Sequence, residues 1–388
     1  GIILSIKPKN LPDNQQLPLI LKFLNSDVRD VWCGYVIRLE QVRCSQCILK
    51  NFSSIDQSYP LRKMGLLDLF NNGKSNFRIQ ELKFSWNYPS SLPIIKNIDS
   101  DKTTQIILEN FIFDGNNLDF SLALLNSGNL TIVNSLFKNI QLLSRPLLNL
   151  VPYLKDNFEV TVTSYPALHL INTNFTNIMN PQQTQPRDTL LGNVFQYTYT
   201  PTKTTVAYPA ILGVGEFEVF INACLFETFR NMPVMLIADA SSSDYRYFSF
   251  NNFKININNS TFRDATSVYG SIITSLRSTT TEGTIKIQNS TITDCTSDVG
   301  GAILVSWTSL TIVDSLFQNN SAKVAGGAIF TDRSCSEKLV LANTTFSNNS
   351  ATFGANTATE ATTFNLFFVP SSATRSIIQS QFSVEKGK

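Results

Sequence analysis

The sequence predicts an all-β solenoid, a rod in which short strands stack coil upon coil. Three observations support this: a repeat along nearly the whole chain, alternation of apolar residues within it, and paired glycines between copies. A representative copy is Ile132-Val133-Asn134-Ser135-Leu136-Phe137. The copies lie about 34 residues apart on average, which is typical of stacked supersecondary units. The prediction is a right-handed parallel β-helix of about 11–12 coils with loop insertions.

The repeat has three recurring positions. Aligned on the Asn position, eleven copies carry an apolar residue two positions earlier, and nine carry Phe three positions later. The Asn position is occupied by Cys44, Glu81, Asn110, Asn134, Asn172, Ala223, Asn259, Asn289, Asp314, Asn343 and Gln379. Because coils stack about 4.8 Å apart, equivalent residues should lie over one another. An internal structural ladder is therefore expected from Phe84, Phe113, Phe137, Phe175, Phe226, Phe262, Phe317, Phe346 and Phe382.

The Asn position predicts a second structural ladder where the strand bends. A short amide can bond the freed backbone of a turn and also the next amide along the stack. The side chains at this position are expected to point inwards. They are Asn110, Asn134, Asn172, Asn259, Asn289 and Asn343.

Strands are predicted from the apolar pattern at the start of each copy. Apolar residues lie two apart, as in Leu130-x-Ile132 and Ile285-x-Ile287, and this period indicates a strand. No stretch of ten or more residues has the 3.6-residue spacing of a helix, which excludes helical repeats. A leucine-rich repeat is not favoured, because its Asn follows the last strand Leu by three residues rather than two.

Glycine pairs predict a corner and a further strand in each coil. Gly300-Gly301 and Gly326-Gly327 can supply the positive φ of a sharp turn, after which small apolar residues re-enter a sheet. Each coil should therefore contain several strands.

Two motifs recur together between residues 290 and 355. Gly300-Gly301-Ala302-Ile303 precedes Phe317-x-x-Asn320, and Gly326-Gly327-Ala328-Ile329 precedes Phe346-x-x-Asn349. These motifs resemble the repeats of polymorphic outer-membrane-protein adhesins and pectin-lyase-like surface proteins, and similar repeats occur in surface proteins of ciliates. The resemblance implies a right-handed parallel β-helix with an adhesin-like role.

Composition limits the classes of partner. Only 15 % of the 388 residues are charged, and the net charge of +2 with scattered basic residues gives no electrostatic argument for nucleic acid. No run approaches the roughly 18 apolar residues of a membrane span. Neither a membrane span in this segment nor nucleic-acid binding is expected.

Nine Asn-x-Ser/Thr acceptors favour a secreted protein, extracellular or at a cell surface. Because Asn259, Asn289 and Asn343 belong to the column predicted to point inwards, they are expected to be unmodified. Glycosylation is predicted at Asn51, Asn129, Asn174, Asn258, Asn319 and Asn348.

The cysteines predict a local disulfide rather than a metal site. Cys33, Cys44 and Cys47 are close enough in sequence for one bond among them. The remaining cysteines and the single histidine, His169, are isolated, so no metal or cofactor is expected. His169 is interpreted as a packed or outward strand residue.

The function predicted from these features is structural or adhesive, and a passive spacer is equally compatible. The alternative is a polysaccharide lyase or glycoside hydrolase, which needs carboxylates converging on one face. The nearest pairs are Asp99 with Asp101 and Asp294 with Asp314. Asp99 and Asp101 are interpreted as turn residues and Asp314 as a ladder substitute, so no catalytic residue is assigned.

Domain organisation follows from the repeat. Residues 1–35 are expected to form an irregular segment or first coil, and residues 36–388 a single β-helix. Insertions are predicted at 52–76, 144–165, 180–188, 198–205 and 238–247. Uncovered ends of the rod would favour end-to-end self-association or contact with neighbouring domains of a larger chain, and glycans are a further possible partner.

Overall fold

The computed structural model describes residues 4–6, 19–24, 27–29, 33–40, 44–50, 53–56, 63–70, 75–81, 83–86, 93–98, 102–143, 145–151, 165–181, 208–238, 252–276, 283–332 and 339–359. These residues form 36 strands and no helix. Each strand pairs in parallel with its equivalent in the next coil, which confirms the predicted parallel β-helix solenoid. No helix in this part of the chain could span a membrane.

Sheet A contains one strand from each of twelve coils. Its strands are β1 (Leu4–Ile6), β4 (Cys33–Glu40), β7 (Lys63–Phe70), β10 (Ile95–Ile98), β13 (Ala123–Leu125), β16 (Leu148–Leu150), β19 (Ile211–Val214), β22 (Met235–Ala238), β25 (Ile273–Leu276), β29 (Ile303–Val305), β33 (Ile329–Thr331) and β36 (Thr357–Thr359).

Sheet B contains the eleven strands that follow those of sheet A along the chain. They are β2 (Leu19–Leu24), β5 (Cys44–Lys50), β8 (Asn76–Gln80), β11 (Gln105–Glu109), β14 (Asn129–Val133), β17 (Ala167–Ile171), β20 (Phe217–Asn222), β23 (Phe253–Asn258), β26 (Gly283–Gln288), β30 (Thr308–Val313) and β34 (Leu339–Ala342).

Sheet C completes each coil with another eleven strands. They are β3 (Asp27–Arg29), β6 (Ser53–Asp56), β9 (Lys83–Trp86), β12 (Ile112–Asp119), β15 (Leu136–Gln141), β18 (Asn174–Met179), β21 (Leu225–Arg230), β24 (Thr261–Ala265), β27 (Thr291–Thr293), β31 (Leu316–Gln318) and β35 (Thr345–Ser347). A small sheet D pairs β28 (Thr296–Val299) with β32 (Ser321–Ala325).

The core is a continuous column inside the three sheets. Alternate residues of the strands are buried, as in β14, where Leu130 and Ile132 face inwards. One hydrophobic cluster extends from Ile37 to Ile329. Period-two alternation therefore builds a single core along the rod rather than separate lobes.

Phenylalanines in sheet C stack along this core. Phe113, Phe137, Phe175, Phe226, Phe262 and Phe317 are buried, and their strands pair in register. Neighbouring ring centroids lie 5.0 Å apart for Phe137 and Phe175 and 4.7 Å apart for Phe226 and Phe262. Ile292 fills the one gap, and Phe346 is half-buried. The side chain of Phe84 and all of Phe382 lie outside the described residues.

The paired glycines form the corners that lead into sheet A. Gly300 and Gly326 have φ of 65° and 67°. A Cβ at Gly301 would overlap the carbonyl oxygen of Gly327 in the next coil. The first glycine of the pair thus permits the backbone turn, and the second permits close approach of the next coil.

Strands β1–β3 fall within the predicted N-terminal segment and pair with β4–β6. Two of the predicted insertions contain strands of the regular coils: β6 and β7 lie within 52–76, and β16 lies within 144–165. To that extent the prediction of insertions is wrong there. The other three predicted insertions lie wholly or largely outside the described residues, and so does the repeat copy at Gln379.

Candidate functional site

The Asn column lies on the outside of the rod, between sheets B and C. Asn110, Asn134, Asn172, Asn259, Asn289 and Asn343 are all exposed, so the prediction that they point inwards is wrong. Each has a positive φ, between 47° and 56°. Asn adopts this left-handed conformation more readily than most residues. One left-handed residue at each turn directs the amide to water and the following residue to the core.

The amides still contact one another along the stack. Asn172 Nδ2 donates to Asn134 Oδ1 at 2.8 Å, and Asn343 Nδ2 donates to Asp314 Oδ1 at 3.0 Å. The amide ladder therefore exists in these places, but it is an outer ladder.

The inward polar ladder consists of the residue after Asn. Ser135, Thr173, Ser260, Ser290 and Ser315 are buried at this position. Each hydroxyl donates to the carbonyl two residues earlier, as Ser290 does to Gln288 at 2.7 Å. The four serines also each accept a backbone N–H from the preceding coil. The recurrence of Ser or Thr after Asn is the sequence signal that would have identified this ladder.

A second left-handed column lies two residues after the Phe position. Its members have φ between 52° and 58° and are Asn139, Asn177, Thr228, Asp264, Asp294, Asn319 and Asn348. Again the next residue turns inwards. In the Phe-x-x-Asn motif this is Asn320, which is fully buried and donates to Ile292 O at 3.1 Å while accepting from Cys295 N at 3.1 Å.

The sequon asparagines fall into three groups. Asn174, Asn319 and Asn348 are exposed, Asn129 and Asn258 are half-buried, and Asn51 lies outside the described residues. Asn259, Asn289 and Asn343 were expected to be unmodified because of burial, and that reason fails because they are exposed. Six exposed acceptors therefore lie on turns or at a strand start.

The cysteine side chains that the structure describes include one in a disulfide and two free thiols. Cys47 is disulfide-bonded, whereas the side chains of Cys33 and Cys44 lie outside the described set. Cys224 and Cys295 are free thiols buried in the core. Burial raises the pKa of Cys224, and it raises the pKa of Cys295 to about 12. Both thiols are therefore held protonated at neutral pH.

Of the two carboxylate pairs considered from the sequence, only Asp294 with Asp314 belongs to the described chain. Asp294 and Asp314 belong to different turn columns, and each accepts from an asparagine, Asn319 and Asn343 respectively. Asp99 and Asp101 lie outside the described residues.

A group that sequence analysis missed lies on the outer face of sheet A. This sheet A ion cluster comprises Tyr35, Arg38, Asp68 and Lys96. Asp68, only 4 % exposed, lies in register between Arg38 and Lys96, and its two oxygens are each 3.6 Å from one of the cations. The pKa of the buried Tyr35 is raised, mainly by its burial and to a smaller extent by the negative charge of Asp68. A charged residue inside the apolar run Leu66-Leu67-Asp68-Leu69 was the available signal.

A second patch lies on the outer face of sheet B. This sheet B patch comprises Tyr165, His169, Glu218 and Phe220. The His169 ring stacks on Phe220 with centroids 4.7 Å apart, and Lys254 Nζ lies 5.9 Å from the Phe220 centroid. Burial lowers the pKa of His169, so the imidazole is neutral at pH 7. The charge of Glu218 raises the pKa of Tyr165, and the two side chains are hydrogen-bonded.

Metal coordination has no candidate among the described residues, which contain no group of three or more His, Cys, Asp or Glu suited to an ion. Comparisons of the chain with family models, with curated proteins and with solved structures find no match.

Proposed function

We propose that this chain is an extracellular β-helix glycoprotein with a structural or adhesive role at a cell surface. The observation that carries the proposal is the set of exposed sequon asparagines along the outside of the rod. These are Asn174, Asn259, Asn289, Asn319, Asn343 and Asn348. Exposed amides on turns are suitable acceptors for glycans, and a secretory route would supply the transferase.

The rod architecture supports a structural or adhesive role. Every coil of the described chain hydrogen-bonds to its neighbours through three sheets, which makes a stiff spacer. Amides and hydroxyls on the outside offer hydrogen bonds to a partner without a large charge. The resemblance to adhesin repeats has the same implication, and strand edges at the rod ends would allow end-to-end assembly or contact with neighbouring domains.

Secretion and glycosylation can be tested directly. The chain, fused to a secretion signal, would be expressed in eukaryotic cells and its glycopeptides mapped by mass spectrometry. Glycans are expected on the exposed acceptors, and Thr176→Ala should remove only the glycan of Asn174 because it destroys that sequon alone. A secreted protein with every acceptor empty would overturn the glycoprotein proposal.

Adhesion requires a separate measurement. Beads coated with the protein should bind cells or immobilised glycans more than beads coated with an unrelated β-helix of similar charge. Equal binding would leave only the structural role.

Polysaccharide cleavage is the second candidate, and the sheet A ion cluster is the observation that favours it. A carboxylate between two cations, near a buried phenol, offers groups for proton transfer. The protein would be incubated with acidic and neutral polysaccharides, with and without calcium, and new chain ends measured. Cleavage lost in Asp68→Asn but retained in Asp114→Asn, a half-buried ion-paired control, would establish this activity.

A further inference from the structure

Two exposed aromatic residues, four coils apart, correspond to one another by strand register. Tyr165 is 38 % exposed and Trp307 is 37 % exposed. Each lies two residues before the same outer column of sheet B. That column consists of Ala167, Glu218, Lys254, Thr284 and Ser309, which pair in register. Because stacked coils are spaced about 4.8 Å apart, the two aromatic residues are separated by about 19 Å along the rod.

The backbone of Trp307 has a conformation that bulky residues rarely adopt. Its φ is 50°, in the left-handed region that favours glycine. At the same corner between sheets A and B, Gly128 and Gly215 both have a φ of 72°. A tryptophan held in this conformation is locally strained, and such strain is commonly stored at functional sites.

The residues between the two aromatic side chains carry hydrogen-bonding groups. Lys254 and Thr284 are exposed, and Glu218 and Ser309 are half-buried. Tyr165 donates a hydrogen bond to Glu218. A carboxylate accepts hydrogen bonds, an ammonium group donates them, and a hydroxyl does both. This surface, the sheet B rim, comprises Tyr165, Glu218, Lys254, Thr284, Ser309 and Trp307.

The charges around the sheet B rim cancel. Glu216 corresponds to Tyr165 one coil further on, and Glu218 is directly paired with Lys254. Lys286 lies on the outer face of the next strand, β26. Among the described residues of these three coils of sheet B, two carboxylates are thus matched by two ammonium groups. The surface therefore has no net charge that would attract a charged polymer.

We infer that the sheet B rim binds an extended, uncharged polysaccharide whose chain runs parallel to the rod axis. The apolar faces of sugar rings pack on aromatic side chains, and sugar hydroxyls exchange hydrogen bonds with groups such as those of Glu218 and Lys254. An extended polymer contacts Tyr165 and Trp307 at once, whereas a compact ligand reaches only one of them. The inference rests on the proposed adhesive role, for which it supplies the class of partner.

A protein partner fits this surface less well. The residues that dominate protein–protein interfaces cluster near the centre of the contact in desolvated pockets. Here the two exposed aromatic residues lie about 19 Å apart, with polar and charged side chains between them.

Glycans on the exposed acceptors of this chain would leave the sheet B rim accessible. In the described chain these acceptors lie at the start of a sheet C strand or in the turns that flank sheet C. They are Asn174, Asn259, Asn289, Asn319, Asn343 and Asn348. The acceptors within sheet B, Asn129 and Asn258, are half-buried.

Affinity electrophoresis of the purified full chain tests the binding. Native gels would contain a neutral polysaccharide (xyloglucan, β-glucan or galactomannan) or an acidic one (polygalacturonate or heparin). At least one neutral polysaccharide should retard the protein. Retardation by the acidic polymers alone, or by none of the five, would overturn the inference.

Variants locate the binding on the sheet B rim. Trp307→Gly and Tyr165→Ala should each weaken the retardation by about tenfold or more, because exposed aromatic side chains provide the main apolar contacts. Glycine accommodates the positive φ at position 307, so the first variant loses the ring without added strain. Phe353→Ala is the matched control, since Phe353 is 42 % exposed at a different corner, before β36. Equal weakening in all three variants would place the binding elsewhere and overturn the inference.

Chain length tests the use of both aromatic residues. Oligosaccharides of the polymer that binds should gain affinity with length until they span the separation of about 19 Å between Tyr165 and Trp307. In Trp307→Gly this gain should disappear. Equal affinity of the unaltered protein for a disaccharide and for longer oligosaccharides would contradict the extended binding mode.

The bead assay separates this inference from the proposed function. If neutral polysaccharides bind at the sheet B rim while coated beads do not adhere to cells, the inference stands and the adhesive role is rejected. If beads coated with Trp307→Gly adhere as well as beads coated with the unaltered protein, the adhesive role stands and the inference is rejected.

Discussion

The hydroxyl oxygen of Ser290 lies 3.2 Å from the backbone nitrogen of Ser260, one coil earlier, and accepts its hydrogen bond. The same hydroxyl donates to Gln288 O at 2.7 Å. Ser315 repeats the contact with the backbone nitrogen of Ser290 at 3.2 Å. The turn backbone that an inward asparagine was expected to satisfy is therefore satisfied by buried serines.

Removing one of these hydroxyls should destabilise the rod. Ser290→Ala leaves the N–H of Ser260 buried without an acceptor, which should cost about 1–3 kcal/mol in unfolding free energy. Asn289→Gly, the adjacent control, should change it by less than about 0.5 kcal/mol because glycine tolerates a positive φ. Urea unfolding would measure both. If Ser290→Ala left the unfolding free energy unchanged, the inner hydroxyl ladder would be contradicted.

Removing a ring from the aromatic stack should destabilise the fold more than removing a serine hydroxyl. Phe317→Ala should cost about 3–5 kcal/mol, since the ring is fully buried and its loss leaves a cavity. Gln318→Ala next to it should cost less than about 1 kcal/mol, since that side chain is half-buried on the outer face of β31. Thermal and urea unfolding would compare the two. Equal losses would show that Phe317 is not a core residue.

The ion pair between Arg78 and Glu109 should give pH-dependent stability. Arg78 Nη2 donates to Glu109 Oε2 at 2.7 Å, and this bond, with one from Gln80, lowers the pKa of Glu109. Because the folded pKa is depressed, the stabilisation is present above the ordinary Glu pKa of about 4.3 and disappears as pH falls through the folded value.

Arg78→Ala should accordingly lower Tm at pH 7, by the equivalent of no more than about 1 kcal/mol for an exposed pair, and make no difference near pH 2–3. Lys286→Ala, on the outer face of the same sheet, is the control. A loss from Arg78→Ala that is the same at every pH would show that the charge interaction does not stabilise the fold.

The buried thiols should resist alkylation. With its pKa raised to about 12, Cys295 would be ionised in fewer than about one molecule in a thousand at pH 8.5, and burial also blocks access. Iodoacetamide should label Cys224 and Cys295 only after unfolding in urea, whereas a cysteine introduced at the exposed Thr284 should react in the native protein. Labelling at equal rates in both states would contradict their burial.

Sequence reasoning predicted the stacked strands and the position of the Phe column, because strand alternation and a fixed three-residue offset are local patterns. It failed at the turns. Alternation continued through Asn134 would place that side chain inwards, but a positive φ of 50° there reverses the direction and buries Ser135 instead. It also missed Asp68, whose neighbours Arg38 and Lys96 belong to other coils.

By itself the sequence determined that this chain is a parallel solenoid with an apolar interior, because burial of alternate side chains repeats with each coil. Only the tertiary structure decided which turn residue faces water and which charged residues meet. The conformation of a single left-handed residue decides whether its own side chain or that of the next residue faces the core. Contacts between charged residues of different coils depend on strand register rather than on proximity along the chain.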